Sequence, residues 1–370
     1  MQVVPHLAAA AEKLFVFQRT PSTIDVRNNF GTTRAFAAEH CAAPGWQRAR
    51  MENFMENTEG PRDGLPDLVA DGWTHAMRRA MAVRAQPDFQ EASPAEARAL
   101  LDRSDFEHVE QIRRRAEAVV VDAATASALK PYYRLFCKRP CFHDDYLAAF
   151  NRPGVTLVDT NGEGIASMSA AGVVAGGVEY AVDVVVLATG FETSFTLPGH
   201  QDAGLVRRKV EAHGFEVFGR GGRGLGEHWA EGPRTLNGMA CRGFPNLFFL
   251  NGPQGVITNS ATHALDETAT HIAAIAAQLR REGRTVCEPA VAAEAAYCEM
   301  VFDGSTRARK FYATCTPGYY NNEGVVDTAT KSLSATYPGG LPGGGGIARF
   351  FAMLHAQRAS DSCLQGFDAA

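Results

Sequence analysis

The chain has 370 residues, more than the roughly 250–300 at which a single hydrophobic core stops growing, so its length predicts two or three domains. Hydrophobic residues make up 45% of it and charged residues 21%, proportions that exclude a wholly disordered chain or a coiled coil. The formal net charge is −5 and no long run of Lys or Arg occurs. The composition therefore indicates neither a nucleic acid nor a membrane as partner.

The eight cysteines include no C-x-x-C pair, and no group of His residues has metal-ligand spacing. This scatter predicts neither a disulfide framework nor a metal site, and it indicates reduced thiols in a cytoplasmic protein. Residues 1–17 are apolar enough to resemble a signal peptide, but they lack a basic start, and Glu12-Lys13 interrupt the apolar run. We therefore expect this segment to be part of the fold.

The chain opens with apolar residues at helical spacing, which predict a helix over 2–12. The short apolar run Leu14–Gln18 follows at once and predicts a buried strand, so the two elements form the second half of a βαβ unit. In a dinucleotide-binding βαβ unit, a basic residue after the second strand accommodates the 2′-phosphate of NADP. Arg19 and Thr20 stand there. The competing interpretation is a solvated arginine at a strand end.

Helix signals dominate the next part of the chain. Ser93-Pro94-Ala95-Glu96 is a capping box with proline at the first helical position. It predicts a helix over about 94–103 and a second over about 105–129, which ends before Lys130-Pro131. We interpret this region as a helical insertion whose charged faces meet solvent.

The sheet pattern returns after the insertion. A helix is predicted over 144–150, a strand over 155–158 and a hairpin around 164–180. Residues 182–190 then form an apolar run that is typical of a buried parallel strand. It ends in Thr189-Gly190, where a doubly wound sheet presents its ligand crevice; a plain core strand is the alternative.

Two glycine clusters match phosphate-binding loops only in part. Gly219–Gly224 spells G-x-G-x-x-G, but no helix of sufficient length follows it, so we interpret it as a surface turn. Gly343–Gly346 precedes a predicted helix over 347–358 but lacks the Lys-Ser/Thr pair of a P-loop. It is more typical of a flexible connection.

Residues 244–250 predict a further buried strand, followed by Gly252-Pro253 and a polar loop to Asn259. A long helix then runs to about Arg281. Strand, tight loop and helix N-terminus together are suited to an anion or a carbonyl group. Ser260 is a plain N-cap in the competing interpretation.

Six motifs follow one another along nearly the whole chain: Phe17-Gln18-Arg19-Thr20-Pro21, Cys137-Lys138-Arg139-Pro140, Phe150-Asn151-Arg152, Ala188-Thr189-Gly190-Phe191, Gly232-Pro233-Arg234-Thr235 and Gly243-Phe244-Pro245-Asn246-Leu247-Phe248. As a set and in this order they resemble the motifs of Baeyer–Villiger monooxygenases. Val26-Arg27-Asn28-Asn29 and the stretch 315–324 resemble the branch that includes cyclopentadecanone monooxygenase.

The resemblance implies an α/β fold with two interleaved, incomplete Rossmann-like dinucleotide-binding domains and a helical insertion. Residues 1–22 and 136–186 would be part of an NADP-binding domain, 23–135 the insertion, and 187–370 the C-terminal part of an FAD-binding domain. It also implies an enzyme that uses FAD, NADPH and O₂ to convert a small-molecule ketone into an ester or lactone.

The resemblance assigns roles to individual residues. Arg139 matches the catalytic arginine that stabilises developing negative charge. Arg19, Thr20 and Lys138 match the residues that hold the NADP phosphate. Tyr319 stands where other members carry a tryptophan over the cofactor. Thr189, Gly190, Gly252, Pro253 and Asn259 complete the expected cofactor-binding set.

The chain departs from the family at its front, because the glycine-rich motifs for FAD and NADP would precede Met1. We therefore expect a truncated chain that is inactive alone and lacks an N-terminal half. The alternative is a non-catalytic remnant or a split-gene subunit that needs an N-terminal partner. A flavin monooxygenase that oxidises nitrogen or sulfur is a further alternative, and Arg139 in its Lys-Arg-Pro setting disfavours it.

Overall fold

A computed structural model describes residues 1–59, 64–189, 217–229, 232–250, 252–256, 258–324, 337 and 346–370. The chain divides into two compact units. The first comprises Met1–Ala35 and Ala70–Glu192, and the second comprises Phe36–Val69 and Thr193–Ala370. Within the described ranges, every helix is too short or too polar to traverse a lipid bilayer.

The described α-helices, in chain order, are α1 Val4–Ala10, α2 Arg34–His40, α3 Trp46–Glu59, α4 Gly72–Arg84, α5 Pro87–Glu91, α6 Pro94–Val119, α7 Ala123–Ala128, α8 Tyr146–Ala149, α9 Leu225–His228, α10 Ala261–Arg281, α11 Val291–Gly304, α12 Thr306–Tyr312 and α13 Gly346–Ala359. The described strands are β1 Leu14–Gln18, β2 Ile24–Asp25, β3 Cys141–Phe142, β4 Val155–Asp159, β5 Ser167–Met168, β6 Gly172–Ala175, β7 Val178–Ala181, β8 Cys287–Pro289 and β9 Phe367–Ala369.

In the first unit, β1 pairs in parallel with β4, from Leu14 opposite Val155 to Gln18 opposite Asp159. Helix α1 precedes β1 and buries Val4 and Ala8. It has a proline in its first turn and no side-chain cap. The predicted helix and strand at the start of the chain are therefore confirmed, although only Gln18 of β1 is buried and the other four residues are half-buried.

Strands β2 and β3 form a second parallel pair, with Ile24 opposite Cys141 and Asp25 opposite Phe142. Helix α6 holds both strands. His108 Nε2 lies 2.7 Å from the Asp25 carboxylate. Arg115 donates to the Ile24 carbonyl at 2.8 Å and to the His143 carbonyl at 3.0 Å. These bonds keep the pair in register although each strand has only two residues.

The predicted division of the insertion helices at residue 104 is wrong. Helix α6 runs unbroken through Ser104 after the predicted capping box, in which Ser93 and Glu96 bond each other reciprocally. The break comes at Val120, which has an extended conformation, and Asp122 then caps α7 by accepting from the Thr125 amide at 2.7 Å. A serine such as Ser104 is tolerated inside a helix. Helix α6 ends only where the Asp122 side chain caps the start of the next helix, α7.

Strands β5, β6 and β7 form an antiparallel meander, which confirms the predicted hairpin. The buried strand predicted over 182–190 is wrong where the structure describes it. Residues 184–189 have no regular secondary structure, and the side chains of Val184 and Leu187 are 75% and 70% exposed. Burial of a strand requires neighbours on its edges and faces, and no described strand pairs with this segment.

The main core of the second unit lies between α10 and α13, with α3 beside them. The strand predicted over 244–250 is wrong, because only one isolated bridge, Ala240 to Phe248, forms there. Asn246 has φ 58°; its side chain accepts from the Cys287 amide and donates to the Thr285 carbonyl. A left-handed residue turns the chain, so the segment cannot extend as a strand.

The glycine cluster 219–224 is a turn, as predicted. Gly221 and Gly222 have φ 66° and 75°, Phe218 bridges Gly224, and the following helix α9 has only four residues. The predicted helix 347–358 is confirmed as α13. Residues 343–345 lie outside the described part of the chain.

Candidate functional site

The first unit contains two basic segments that precede paired strands. Arg19 and Thr20 follow β1 on the way to β2, and Lys138 and Arg139 lead into β3. Because β2 and β3 run in parallel with Ile24 opposite Cys141, the chain enters both strands at the same end of the pair. Arg19 and Arg139 are exposed, and Thr20 and Lys138 are half-buried.

Tyr133 contacts Lys138 and the backbone of Thr23, the residue before β2. The Lys138 ammonium lies 5.3 Å from the centroid of its ring. Burial raises the pKa of the Tyr133 hydroxyl above its ordinary value, against the effect of a hydrogen bond to the Thr23 backbone. The Cys141 amide donates to the Thr23 carbonyl at 3.1 Å. Thr23 is thus linked to Lys138 through a buried phenol and to Cys141 through a backbone bond.

The Arg139 guanidinium carbon lies 5.7 Å from the centroid of the Trp73 ring. Trp73 begins helix α4 and also packs on Phe142, with ring centroids 4.9 Å apart. A guanidinium stays charged throughout the physiological pH range. An exposed arginine held in this way can stabilise an anion that forms beside it.

In the second unit, a buried network holds the loop that contains Gly252 and Pro253. The Thr235 hydroxyl donates to the Pro253 carbonyl at 3.1 Å, and its amide donates to the Gln254 side chain at 2.8 Å. The Tyr297 hydroxyl donates to the Gln254 carbonyl at 2.9 Å. A Cβ atom on Gly252 would lie 2.6 Å from the Gly238 carbonyl oxygen, so internal packing alone requires a glycine there.

Asn259 lies two residues before α10. Its side-chain nitrogen is buried and has no hydrogen-bond partner among the described residues. An unsatisfied buried donor costs about 1–3 kcal/mol, so this amide is suited to an acceptor atom of a ligand. Ser260 occupies the N-cap position without a capping bond from its side chain; it is not the ordinary N-cap of the competing interpretation.

The remaining predicted site residues belong to other segments of the chain. Thr189 is exposed in the irregular segment that follows β7. Gly190 lies outside the described residues. Tyr319 begins a 3₁₀ helix, Tyr319–Gly324, whose first turn is held by the Asn321 side chain accepting from the Gly318 amide at 2.9 Å. No group of three or more His, Cys, Asp or Glu side chains with metal-binding geometry occurs in the described ranges.

Sequence reasoning missed three residues of these sites. No local pattern indicates Gln254, because its left-handed backbone, φ 65°, and its buried contacts are tertiary features. Thr235 was identified only as part of the motif Gly232-Pro233-Arg234-Thr235, without a role of its own. Trp73 had a local signal, because Asp71 and Thr74 around it form a capping box, but its contact with Arg139 joins distant parts of the sequence.

Comparison with known proteins places these features in context. Neopentalenolactone D synthase from Streptomyces avermitilis is 42% identical over 343 residues, which are 93% of this chain and 55% of that protein. A Baeyer–Villiger monooxygenase from Streptomyces coelicolor is 42% identical over 328 residues, 88% of this chain and 51% of that protein. This chain spans about half the length of the curated relatives it matches.

Among solved structures, the polycyclic ketone monooxygenase from Thermothelomyces thermophila matches with a TM-score of 0.81 and 33% identity, covering 100% of this chain and 57% of that one. An oxidised steroid monooxygenase bound to NADP matches with a TM-score of 0.67 and 26% identity. No family model matches the chain. The likeness confirms the predicted α/β class with incomplete Rossmann-like domains.

Proposed function

We propose, because this chain is similar over most of its length to Baeyer–Villiger monooxygenases, that it belongs to their family and that a protein containing it uses FAD, NADPH and O₂ to convert a ketone into an ester or lactone. The observation that carries the proposal is that the segment with Arg19 and Thr20 and the segment with Lys138 and Arg139 lead into two strands that pair in parallel. The match to a polycyclic ketone monooxygenase supports a cyclic ketone as the substrate.

Arg19, Thr20 and Lys138 fit the 2′-phosphate of NADPH. The three residues lie in the segments that lead into the paired strands β2 and β3, and a guanidinium fork with an ammonium point charge suits a phosphate dianion. NADPH, when bound, supplies the hydride for flavin reduction. The residues of this chain bind and orient it.

The second unit fits FAD through the loop at Gly252 and Pro253 and through Asn259. The loop is held rigidly by Thr235 and Tyr297, and the buried Asn259 amide offers a donor with no described protein partner. Thr189, Gly190 and Tyr319 complete the proposed cofactor contacts by resemblance alone. Bound FAD supplies the flavin that, once reduced, activates O₂.

Arg139 has the catalytic role in this proposal. Oxygen transfer to a ketone develops negative charge on oxygen, and a fixed cation that cannot lose its proton stabilises it. The guanidinium of Arg139 is exposed and positioned beside Trp73, so it is available to such an anion.

Replacing Arg139 tests the proposal. In a protein with the oxygenation activity, Arg139→Ala should abolish ester or lactone formation, whereas NADPH should still reduce the flavin in stopped-flow measurements. Arg19→Ala should mainly raise the KM for NADPH. Arg114→Ala, an exposed arginine on α6, is the matched control and should change neither. Retained product formation in Arg139→Ala would remove Arg139 from the catalytic role.

We propose also that this chain functions with an N-terminal half, on the same or a separate polypeptide. The exposed apolar run at 184–187 supports this, because it has the composition of a strand that another part of a sheet covers. The proposal predicts that co-expression with the N-terminal half of a relative gives a yellow complex that oxidises NADPH when a ketone is added. The chain remaining colourless and inactive in that mixture would favour the non-catalytic remnant.

The domain assignment remains a proposal: residues 1–22 and 136–186 for NADP, 23–135 for the insertion and 187–370 for FAD. The cytoplasmic location indicated by the cysteine pattern likewise stays a prediction. Oxidation of nitrogen or sulfur is the alternative chemistry. Product analysis with a ketone and with an amine separates the two reactions.

A further inference from the structure

We infer that Trp73 is a positioning residue for Arg139: its indole ring holds the guanidinium in place without neutralising its charge. This inference rests on the proposed function, because it concerns how the catalytic cation of that reaction is oriented. It adds a role for a residue of the helical insertion, a region that sequence reasoning assigned to solvent-facing helices.

The backbone of Trp73 is fixed by the start of α4. Asp71 is the N-cap, and its carboxylate accepts from the amides of Trp73 at 2.9 Å and Thr74 at 3.2 Å. The Thr74 hydroxyl accepts in return from the Asp71 amide at 3.1 Å. Arg27 pairs with the Asp71 carboxylate from the other side. Trp73 thus stands in the first turn of α4 with its amide bonded to the Asp71 carboxylate.

Close packing fixes the same turn against the β2–β3 pair. A Cβ atom on Gly72 would lie 2.3 Å from the Val26 carbonyl oxygen and 2.4 Å from the Phe142 ring. Only glycine allows this approach, because real Cβ contacts under 3.0 Å do not occur. Helix α4 therefore begins in direct contact with β3 and with Val26, the residue after β2, and Trp73 comes immediately after the contact.

The indole of Trp73 touches both ends of one short segment. Arg139 lies over its ring at 5.7 Å, and Phe142 packs against it at 4.9 Å. Between them, Pro140 is buried and Cys141 is bonded to the Thr23 carbonyl. One ring therefore contacts residues at both ends of a segment that is itself held in a strand pair, and this contact favours one direction of the Arg139 side chain.

An aromatic ring is better suited than a carboxylate to hold the Arg139 guanidinium, because it does not neutralise the positive charge. Among the described residues, no carboxylate oxygen lies within 4.0 Å of the Arg139 guanidinium nitrogens. A carboxylate partner would orient the guanidinium but would also cancel the charge that the reaction needs. The π face of tryptophan attracts the cation while its net charge remains available to an anion.

The first test measures the contact itself in the 370-residue chain. Phenylglyoxal modifies exposed arginines, and peptide mass spectrometry gives the rate at each one. Trp73→Leu keeps an apolar side chain but removes the π face. It should raise the modification rate of Arg139 about two- to fivefold, the factor expected for an exposed cation–π contact. Trp73→Phe should restore most of the protection.

Phe36→Leu is the matched control. The Arg50 guanidinium lies 5.4 Å from the Phe36 ring in the second unit, so this variant should raise the rate at Arg50 and leave Arg139 unchanged. Equal rates at Arg139 in wild type, Trp73→Leu and Trp73→Phe would overturn the inference.

The second test measures the consequence in a protein with oxygenation activity. Trp73→Leu should lower the fraction of NADPH oxidation that yields ester or lactone by about two- to fivefold, with an unchanged rate of flavin reduction, and Trp73→Phe should recover it. If Arg139→Ala abolishes product and Trp73→Leu matches wild type, the inference about Trp73 fails alone. If Arg139→Ala retains product formation, the proposed catalytic role of Arg139 is wrong, and the inference about Trp73 falls with it.

Discussion

Glu59 is a buried acid at the end of helix α3. Its side chain belongs to a residue only 4% exposed, and it accepts a hydrogen bond from the Ile347 amide at 3.4 Å. Burial raises its pKa from 4.5 to about 8, against the opposing effects of that bond and of Arg349. At neutral pH this carboxyl group is protonated in the folded protein, whereas it is ionised in the unfolded chain.

The raised pKa of Glu59 makes stability depend on pH. Because the folded state binds a proton more tightly than the unfolded state, the free energy of unfolding should fall as pH rises from about 4.5 to about 8. The slope from this group approaches 1.4 kcal/mol per pH unit within that window. Urea titrations at several pH values should show it, and Glu59→Gln should remove most of it.

The control for that experiment is Glu299→Gln, on an exposed position of α11. This variant should keep the pH dependence of the parent chain. A Glu59→Gln chain whose stability still falls with pH as steeply as the parent would show that Glu59 does not carry the effect.

At the scale of elements, Glu267 joins three helices of the second unit. Its buried carboxylate on α10 accepts from Arg48 of α3 at 2.6 Å, and from His355 and Arg358 of α13 at 2.8 Å and 2.7 Å. Burial alone would raise the pKa of Glu267, but the bonds from Arg358 and His355 outweigh it and lower the pKa. The network therefore orients α10, the helix that follows Asn259.

Glu267→Gln should destabilise the second unit by about 3 kcal/mol, because it leaves cations without their shared carboxylate. The value lies at the low end for a buried ion pair since the Arg48 side chain is half exposed. Chemical denaturation measures the change. Asp361→Asn removes an exposed pair with Arg281 and should cost less than about 1 kcal/mol. Equal losses in the two variants would contradict the structural role of Glu267.

At the scale of the molecule, residues 184–187 form an exposed apolar patch on the chain. Val184 is 75% exposed and Leu187 is 70% exposed, and the two valines between them are also exposed. Consecutive exposed apolar side chains favour association with other surfaces or with further copies of the chain. The run lies between the meander β5–β7 and residues outside the described part.

Replacing Val184 and Leu187 together by serine should lower self-association of the isolated chain and its binding of the dye ANS. Light scattering after gel filtration and dye fluorescence measure the two effects. Val121→Ser is the control, because Val121 is 85% exposed but stands alone between α6 and α7. A similar decrease in the control would mean that the run has no special part in association.

Local signals in the sequence predicted many of the elements correctly. The periodicity of residues 2–12, the capping box at Ser93 and the apolar runs at Leu14 and Val155 each correspond to an observed element. These predictions are correct because a helix cap and a short periodic pattern each depend on only a few neighbouring residues of the chain. The resemblance to Baeyer–Villiger monooxygenases, which depended on the order of six motifs along the chain, agrees with the relatives that the chain matches.

Two apolar runs, 182–190 and 244–250, show where local reasoning fails. Both have the composition of buried strands, but the described part of the first has no paired neighbour, and the second is turned at Asn246 by its bonds to residues 285 and 287. Strand formation is a property of a pair of segments. A single segment therefore does not determine it.

By itself, the sequence determined the class of fold and the resemblance to Baeyer–Villiger monooxygenases. Only the tertiary structure decided that β2 and β3 pair in parallel and that Trp73 lies beside Arg139. It alone also placed Glu59 and Glu267 in buried positions. The physical reason is that caps and periodicity act within one segment, whereas register, burial and ring contacts join segments far apart in the chain.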